Sequence, residues 1–192
     1  MTTFRDILDS ELAPDAPITS DLGYRWRDNP SMVEIAEVVI SNDATIEFTD
    51  FDASLFEDYH FKFRNVVPAT NGVAINLRTS ANSGISYDSG ANDYNNGSSG
   101  DLSYLGLTQN STNVSNVANI GFSSELIIFG PSRSVHTMIA SKGMYYDYTF
   151  FWLKQSDSEG FRDSAAAVNA VQVYASTGNL STGTITMYGI KK

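Results

Sequence analysis

The sequence contains no cysteine, which excludes thiol catalysis, disulfide staples, thiolate zinc sites and iron–sulfur clusters. Histidine is almost as scarce, with His60 and His136 only, so a histidine-rich metal site has nothing to draw on. No apolar run approaches the roughly 20 residues a bilayer-spanning helix needs, and no membrane insertion is expected. The N-terminus, MTTFRDILDSEL, lacks the basic-then-apolar order of a secretory signal. Positive charge is also sparse: 12 Lys and Arg stand against 22 Asp and Glu, a net charge of −10. The deficit is local, because residues 1–60 hold 14 acidic and 3 basic residues while residues 61–192 hold 8 and 9. Without a clustered basic surface to neutralise phosphates, nucleic acid is not an expected partner.

What is abundant is small and polar, or aromatic. Gly, Ser, Thr and Asn supply 68 of the 192 residues, and aromatics make up 12%. That bias favours short strands joined by polar turns. The length suits one domain with a short appendage. A chain of this size buries about 70% of its unfolded surface, so it needs neither disulfide nor metal to fold.

The spacing of apolar residues predicts a short amphipathic helix over 3–12, with Phe4, Ile7, Leu8 and Leu12 on one stripe and Thr3 as its cap. Pro14 and Pro17 impose an extended stretch. A second short helix is predicted from Thr19 or Ser20, carrying Leu22 and Trp26 and ending at Asn29–Pro30. Helices this short are marginal alone, so their stripes must rest either on their own domain or on another subunit. Phe4, Ile7, Leu8, Leu12, Leu22 and Trp26 are the candidate docking residues.

From residue 33 the apolar period becomes two. Phe61, Phe63 and Val67 alternate with His60, Lys62 and Arg64; after Pro68–Gly72, Val73, Ile75 and Leu77 alternate with Asn76 and Arg78. This pattern predicts a hairpin with one buried face. Further strands are expected near 44–51, 122–129, 133–141, 144–154, 168–175 and 183–190. Leu126–Phe129 is apolar on both faces, as a central strand should be, and Tyr145–Trp152 is aromatic on both faces. The expected fold is mainly β: an antiparallel, jelly-roll-like β-sandwich over 33–192 behind a helical docking segment at 1–32. In a symmetric hairpin Lys62 would oppose Arg78, with Arg64 alongside. This basic face would be destabilising unless an acidic surface met it.

Chemistry-bearing motifs are missing. No GxSxG elbow occurs, and neither GxxxxGK[ST] nor a helix-preceding GxGxxG is found. Neither histidine is tied to a carboxylate or nucleophile by a recognisable motif. No catalytic residue, cofactor or metal is therefore assigned. Residues 80–120 form a long, mostly polar stretch punctuated by Tyr87, Tyr94 and Tyr104. A loop that long is usually functional or held by a neighbour. Asp88, Asn92, Asp93 and Asn95 offer hard oxygens, but Gly90 and Ala91 interrupt the calcium-loop spacing, and Asx turns account for the same residues. Tyr87, Asp88, Asn92, Asp93, Tyr94 and Tyr104 combine ring faces with hydrogen-bonding groups, which suits contact with a glycan or a neighbouring subunit.

Two segments resemble virion proteins of tailed bacteriophages. The first is Asp15-Ala-Pro-Ile-Thr19, Leu22 and Arg25-Trp-Arg-Asp-Asn-Pro30, similar to the opening of small fibre-like structural proteins, with Ser31-Met-Val-Glu34 in place of their usual Ala-rich continuation. The second is the ordered series Phe48-Thr-Asp-Phe51, Tyr59 to Pro68, Asn76-Leu-Arg78, Tyr87-Asp-Ser-Gly90 with Tyr94, Ser176-Thr-Gly-Asn179, Gly183-Thr184 and Tyr188-Gly-Ile190. It resembles a β-sandwich module of phage tail-fibre, head-spike and receptor-binding proteins. The resemblance implies a non-enzymatic structural protein of the virion, assembled in the host cytoplasm. It implies other virion proteins as partners, a homo-oligomer (often a trimer in this family) and a host surface glycan as ligand. The leading expectation is a tail fibre or receptor-binding appendage. The alternatives are a capsid decoration or head-spike protein and a carbohydrate-binding module.

Overall fold

A computed structural model describes residues 31–96, 102–108 and 113–192. The helices and six docking residues expected within 1–30 lie outside the described residues. Residues Met32–Lys192 form one compact unit. Its strands are β1 (Met32–Asp43), β2 (Thr45–Phe48), β3 (Phe56–Pro68), β4 (Ile75–Ser80), β5 (Tyr94–Asn95), β6 (Leu105–Gly106), β7 (Phe122–Phe129), β8 (Met138–Tyr146), β9 (Leu153–Arg162), β10 (Ala170–Ala175) and β11 (Leu180–Lys191). No helix occurs among the described residues.

The strands make two antiparallel sheets, one ordered β1-β11-β3-β7-β8-β9-β5 and the other β2-β10-β4-β6. Their inner faces share one core, in which Phe61, Leu126, Ile185 and Met187 of the large sheet join Phe48, Leu77, Val171 and Val173 of the small one. The Phe48 and Phe61 rings meet edge-to-face across the two sheets, 5.3 Å between centroids, a favoured aromatic geometry. The period-two pattern of β3, β7 and β10 thus buries one face of each of these strands and drives the sheets together.

The strand at 122–129 has the predicted bounds, and β10 and β11 fall within a few residues of theirs. The hairpin across Pro68–Gly72 does not form. β3 pairs with β11 and β7, whereas β4 pairs with β10 and β6, so the turn carries the chain from one sheet to the other. Alternation reports which side chains are buried, not which strand lies alongside. A bulge also breaks the expected alternation. Asn65 takes a φ of 49°, and Val66 and Val67 beyond it are both buried. Gly183 fits against the bulge with a φ of 130°, where a Cβ would stand 2.7 Å from the Asn65 carbonyl oxygen.

The opposition of Lys62 and Arg78 disappears with the hairpin. The cross-strand neighbours of Lys62 are Glu125 and Thr186, and its ammonium lies 3.6 Å from Glu125. Arg64 donates to Thr186 Oγ1 at 2.7 Å and lies 3.8 Å from Glu37. Arg78, on the other sheet, stacks 4.8 Å over the Tyr174 ring and donates to the Ser103 carbonyl. The three cations form no common basic face. Of the acidic residues near this face in sequence, Glu47 accepts from Gln172, and Glu57 pairs with Arg133.

The polar stretch after β4 is not a structureless loop. It supplies β5 to one edge of the large sheet and β6 to one edge of the small sheet. Tyr94, Leu105, Leu107 and Val114 are buried. Two inward-facing serines of β9 tie the layers together: Ser156 donates to the Leu107 carbonyl and Ser158 to that of Gly106, each at 2.6 Å. Edges covered in this way are protected from pairing with other chains.

Candidate functional site: an aromatic turn on a buried carboxylate

The sequence Tyr145-Tyr-Asp-Tyr-Thr-Phe-Phe-Trp-Leu153 was expected as one doubly buried strand. Only its ends are strand; residues 147–152 form the tight turn between β8 and β9. Asp147 organises it. Its carboxylate is fully buried, and Oδ1 accepts the backbone N–H groups of Thr149 at 2.8 Å and Phe150 at 3.0 Å. Its main chain accepts from Phe151 N–H and donates to the Trp152 carbonyl, both at 2.9 Å. Lys154 Nζ lies 3.8 Å from Oδ2. A second segment braces the base, where Tyr148 N–H donates to the Asn113 carbonyl at 2.7 Å and Ser115 N–H to that of Tyr146 at 3.0 Å. An Asp side chain closing on N–H groups two and three residues ahead is the Asx-turn mechanism, and it stops the strand.

Above that base the rings stand in solvent. Phe150 is 53% exposed, Phe151 69% and Trp152 59%, with Tyr148 and Leu153 beside them. Phe150 and Trp152 stack nearly parallel, with centroids 5.2 Å apart and planes at 11°. Tyr148 and Phe151 meet at 6.4 Å and 62°. Phe151 adopts a φ of 59°, a left-handed backbone that a bulky residue seldom takes. Contiguous exposed aromatics held by a strained backbone mark contact surfaces more often than packing accidents. Chemically, two stacked rings offer a flat apolar platform to which the C–H face of a sugar, or another ring, can be applied.

The residues expected to meet a glycan or neighbour are dispersed by comparison. Tyr94 is buried, and its hydroxyl accepts from Thr79 N–H at 2.7 Å; burial pushes that hydroxyl up to about 12. Asp88 is held by Arg162 in a two-pronged pair, Nε to Oδ2 at 2.6 Å and Nη2 to Oδ1 at 3.2 Å. Arg162 is only 4% exposed, and it also donates to the Ala166 carbonyl at 2.6 Å. Asp93 accepts from Gly90 N–H at 2.5 Å, closing its own turn. Burial first, then the charge of Glu47, pushes the Tyr87 hydroxyl up to about 12. Tyr104 is half-buried and Asn92 exposed. Asp88, Tyr94 and Arg162 therefore form an internal strut. Of the candidate calcium oxygens, Asp88 is already committed to a guanidinium.

The histidines are also separate. His60 faces outward on β3 between Ile127 and Tyr188. His136 precedes β8 instead of lying within a strand, with Nδ1 3.4 Å from Asp163 and its ring 5.6 Å from Phe161. Sequence reasoning missed the turn because its aromatic density reads as core. The signal that identifies it is Asp147 followed by Thr149, a turn-former set inside an otherwise apolar run. Among comparisons with known proteins, no family model matches the chain and no curated protein does.

Proposed function

We propose that this chain is a structural protein of a bacteriophage virion: a tail-fibre or receptor-binding appendage that docks through residues 1–32 and presents its β domain outward. It would act without catalysis, as one copy of a homo-oligomer among other virion proteins. The observation that carries this reading is the exposed aromatic turn, Phe150 stacked on Trp152 over the buried Asp147 carboxylate. A receptor such as a host surface glycan would meet that platform, and repeated copies would multiply weak single contacts. The strand order supports the finer reading of the fold as a jelly roll. Without β5 and the β8–β9 excursion, the sheets run β1-β11-β3-β7 and β2-β10-β4-β6, the alternation of two interlocked Greek keys seen in viral capsid and lectin domains.

The test uses the full chain, fluorescently labelled, on an array of bacterial capsular polysaccharides and lipopolysaccharides and on intact cells. Phe150→Ser/Trp152→Ser should lose at least about tenfold in binding, because a few desolvated aromatic anchors dominate such interfaces. It should keep the thermal midpoint of the parent. Silence of the parent on every surface, with retained incorporation into particles, would favour a capsid decoration or head-spike role. Deletion of residues 1–30 should leave a folded β domain that no longer joins particles.

A further inference from the structure

The outer face of the large sheet carries a second pattern, distinct from the turn. On β3, β7, β8 and β9 the outward side chains align in rows across the strands. One row is Lys62–Glu125–Lys142–Asp157, alternating in charge at every step. The next is His60–Ile127–Ala140–Glu159. A third is Phe129–Met138–Phe161, in which Met138 is 65% exposed beside a depression of about 350 Å³ lined by Phe129, Ala140 and Phe161. A large apolar row beside an ordered charge row is not what a solvated sheet face requires.

The rows have a symmetry. A two-fold axis parallel to the strands, lying between β7 and β8 in the plane where two such faces meet, exchanges β7 with β8 and β3 with β9. Each row then faces its own reversal. Lys62 meets the second copy's Asp157, Glu125 meets Lys142, His60 meets Glu159, Ile127 meets Ala140 and Phe129 meets Met138. Every charge of the Lys62 row finds its opposite, and Ile127 and Phe129 each find an apolar partner. An axis along the rows would instead bring each charge onto itself. We propose that this face is an isologous interface, and that its partner is a second copy of this chain stacked face to face across β7 and β8. Aligned sheets cross at about 30°, which tilts the axis about 15° from the strands, so the match is tightest near the axis, at Glu125/Lys142 and Phe129/Met138. The same rotation sets both aromatic turns at one end of the pair. The inference stands independently of what those turns bind.

The experiment is a mixing assay on full-length protein, read by sedimentation equilibrium. The parent should be dimeric at micromolar concentration. Lys142→Glu and Glu125→Lys should each weaken self-association by at least about tenfold, since like charges then meet across the axis. An equimolar mixture of the two variants should recover dimers, because the new carboxylate at position 142 meets the new ammonium at position 125. Mixing leaves charge neighbours within each sheet unchanged, so recovery reports the contact between copies alone. Circular dichroism confirms that each variant is folded, and Met138→Ser should weaken the dimer without touching a charge. A monomeric or trimeric parent, variants that dimerise like the parent, or a mixture that stays monomeric would each overturn the proposal.

Discussion

The segment from Tyr87 to Tyr94 and the turn from Asp147 to Trp152 are built from the same materials, aromatic rings beside aspartates, and they use them in opposite senses. In the first, the Tyr94 ring lies in the core and Asp88 reaches across to a buried guanidinium. In the second, the aspartate is the buried member and the rings stand outside. The difference lies in what the backbone does. Tyr94 pairs with Arg162 in the sheet ladder, so its side chain follows the strand's inward alternation. Residues 147–152 leave the ladder to close a turn on the Asp147 carboxylate, and their side chains inherit no inward direction. Exposure of an aromatic is thus decided by the local hydrogen-bond pattern, not by its neighbours in composition.

The contrast breaks most decisively at Asp88. Its replacement by Ala leaves Arg162 charged, enclosed and reduced to the Ala166 carbonyl as its acceptor. Removing one member of such a pair costs about 3–5 kcal/mol, and we expect the lower end because Asp88 itself is partly solvated. A fall of about 6–12 °C in the thermal midpoint follows for a domain of this size. A loss under about 1 kcal/mol in urea denaturation would show that the segment is not a strut.

Tyr94 gives the next largest effect. Tyr94→Phe leaves the buried Thr79 N–H without its acceptor, a cost of about 1–3 kcal/mol. Its ionisation adds a pH signature. Burial raises the hydroxyls of Tyr59, Tyr87 and Tyr94 from 10.0 in the unfolded chain to about 12 in the folded one. Their contribution is therefore intact below pH 10 and is lost as pH climbs through about 12, where the unfolded chain has released protons that the folded one retains. Stability measured against pH should decline over that window, and less steeply in Tyr94→Phe. An identical slope in the variant would mean that Tyr94 is not among the groups resisting ionisation.

The sequence made the sheet pattern legible wherever one side chain in two is apolar and the strand is regular, as over Phe122–Phe129. There Leu126 and Ile128 go inward, while Phe129 stays 44% exposed, which an all-apolar tetrapeptide could not reveal. Strand partners were not legible. Turn Pro68–Gly72 has the length of a hairpin loop, yet pairing is settled by β10 and β11, about a hundred residues downstream. Nor was the strut at Asp88, because Arg162 lies 74 residues away and nothing local to either residue announces the other. The outward rows on β7, β8 and β9 were likewise hidden, since their charge alternation runs across strands and never along the chain.

Phe151 offers the smallest effect and the sharpest distinction. A left-handed backbone costs a non-glycine residue about 1–2 kcal/mol, a penalty that Asn tolerates better because its short side chain bonds locally. Phe151 is the most exposed ring of the turn, so its replacement forfeits little burial. Phe151→Asn should therefore leave the fold unchanged or stabilise it by about 0.5 kcal/mol, while weakening whatever binds at the turn. A gain in stability with a loss in binding is the behaviour of a residue kept for contact in spite of its strain. If Phe151→Asn instead costs more than about 1 kcal/mol by chemical denaturation, the ring is packing the turn, and this region resembles the Tyr94 strut after all.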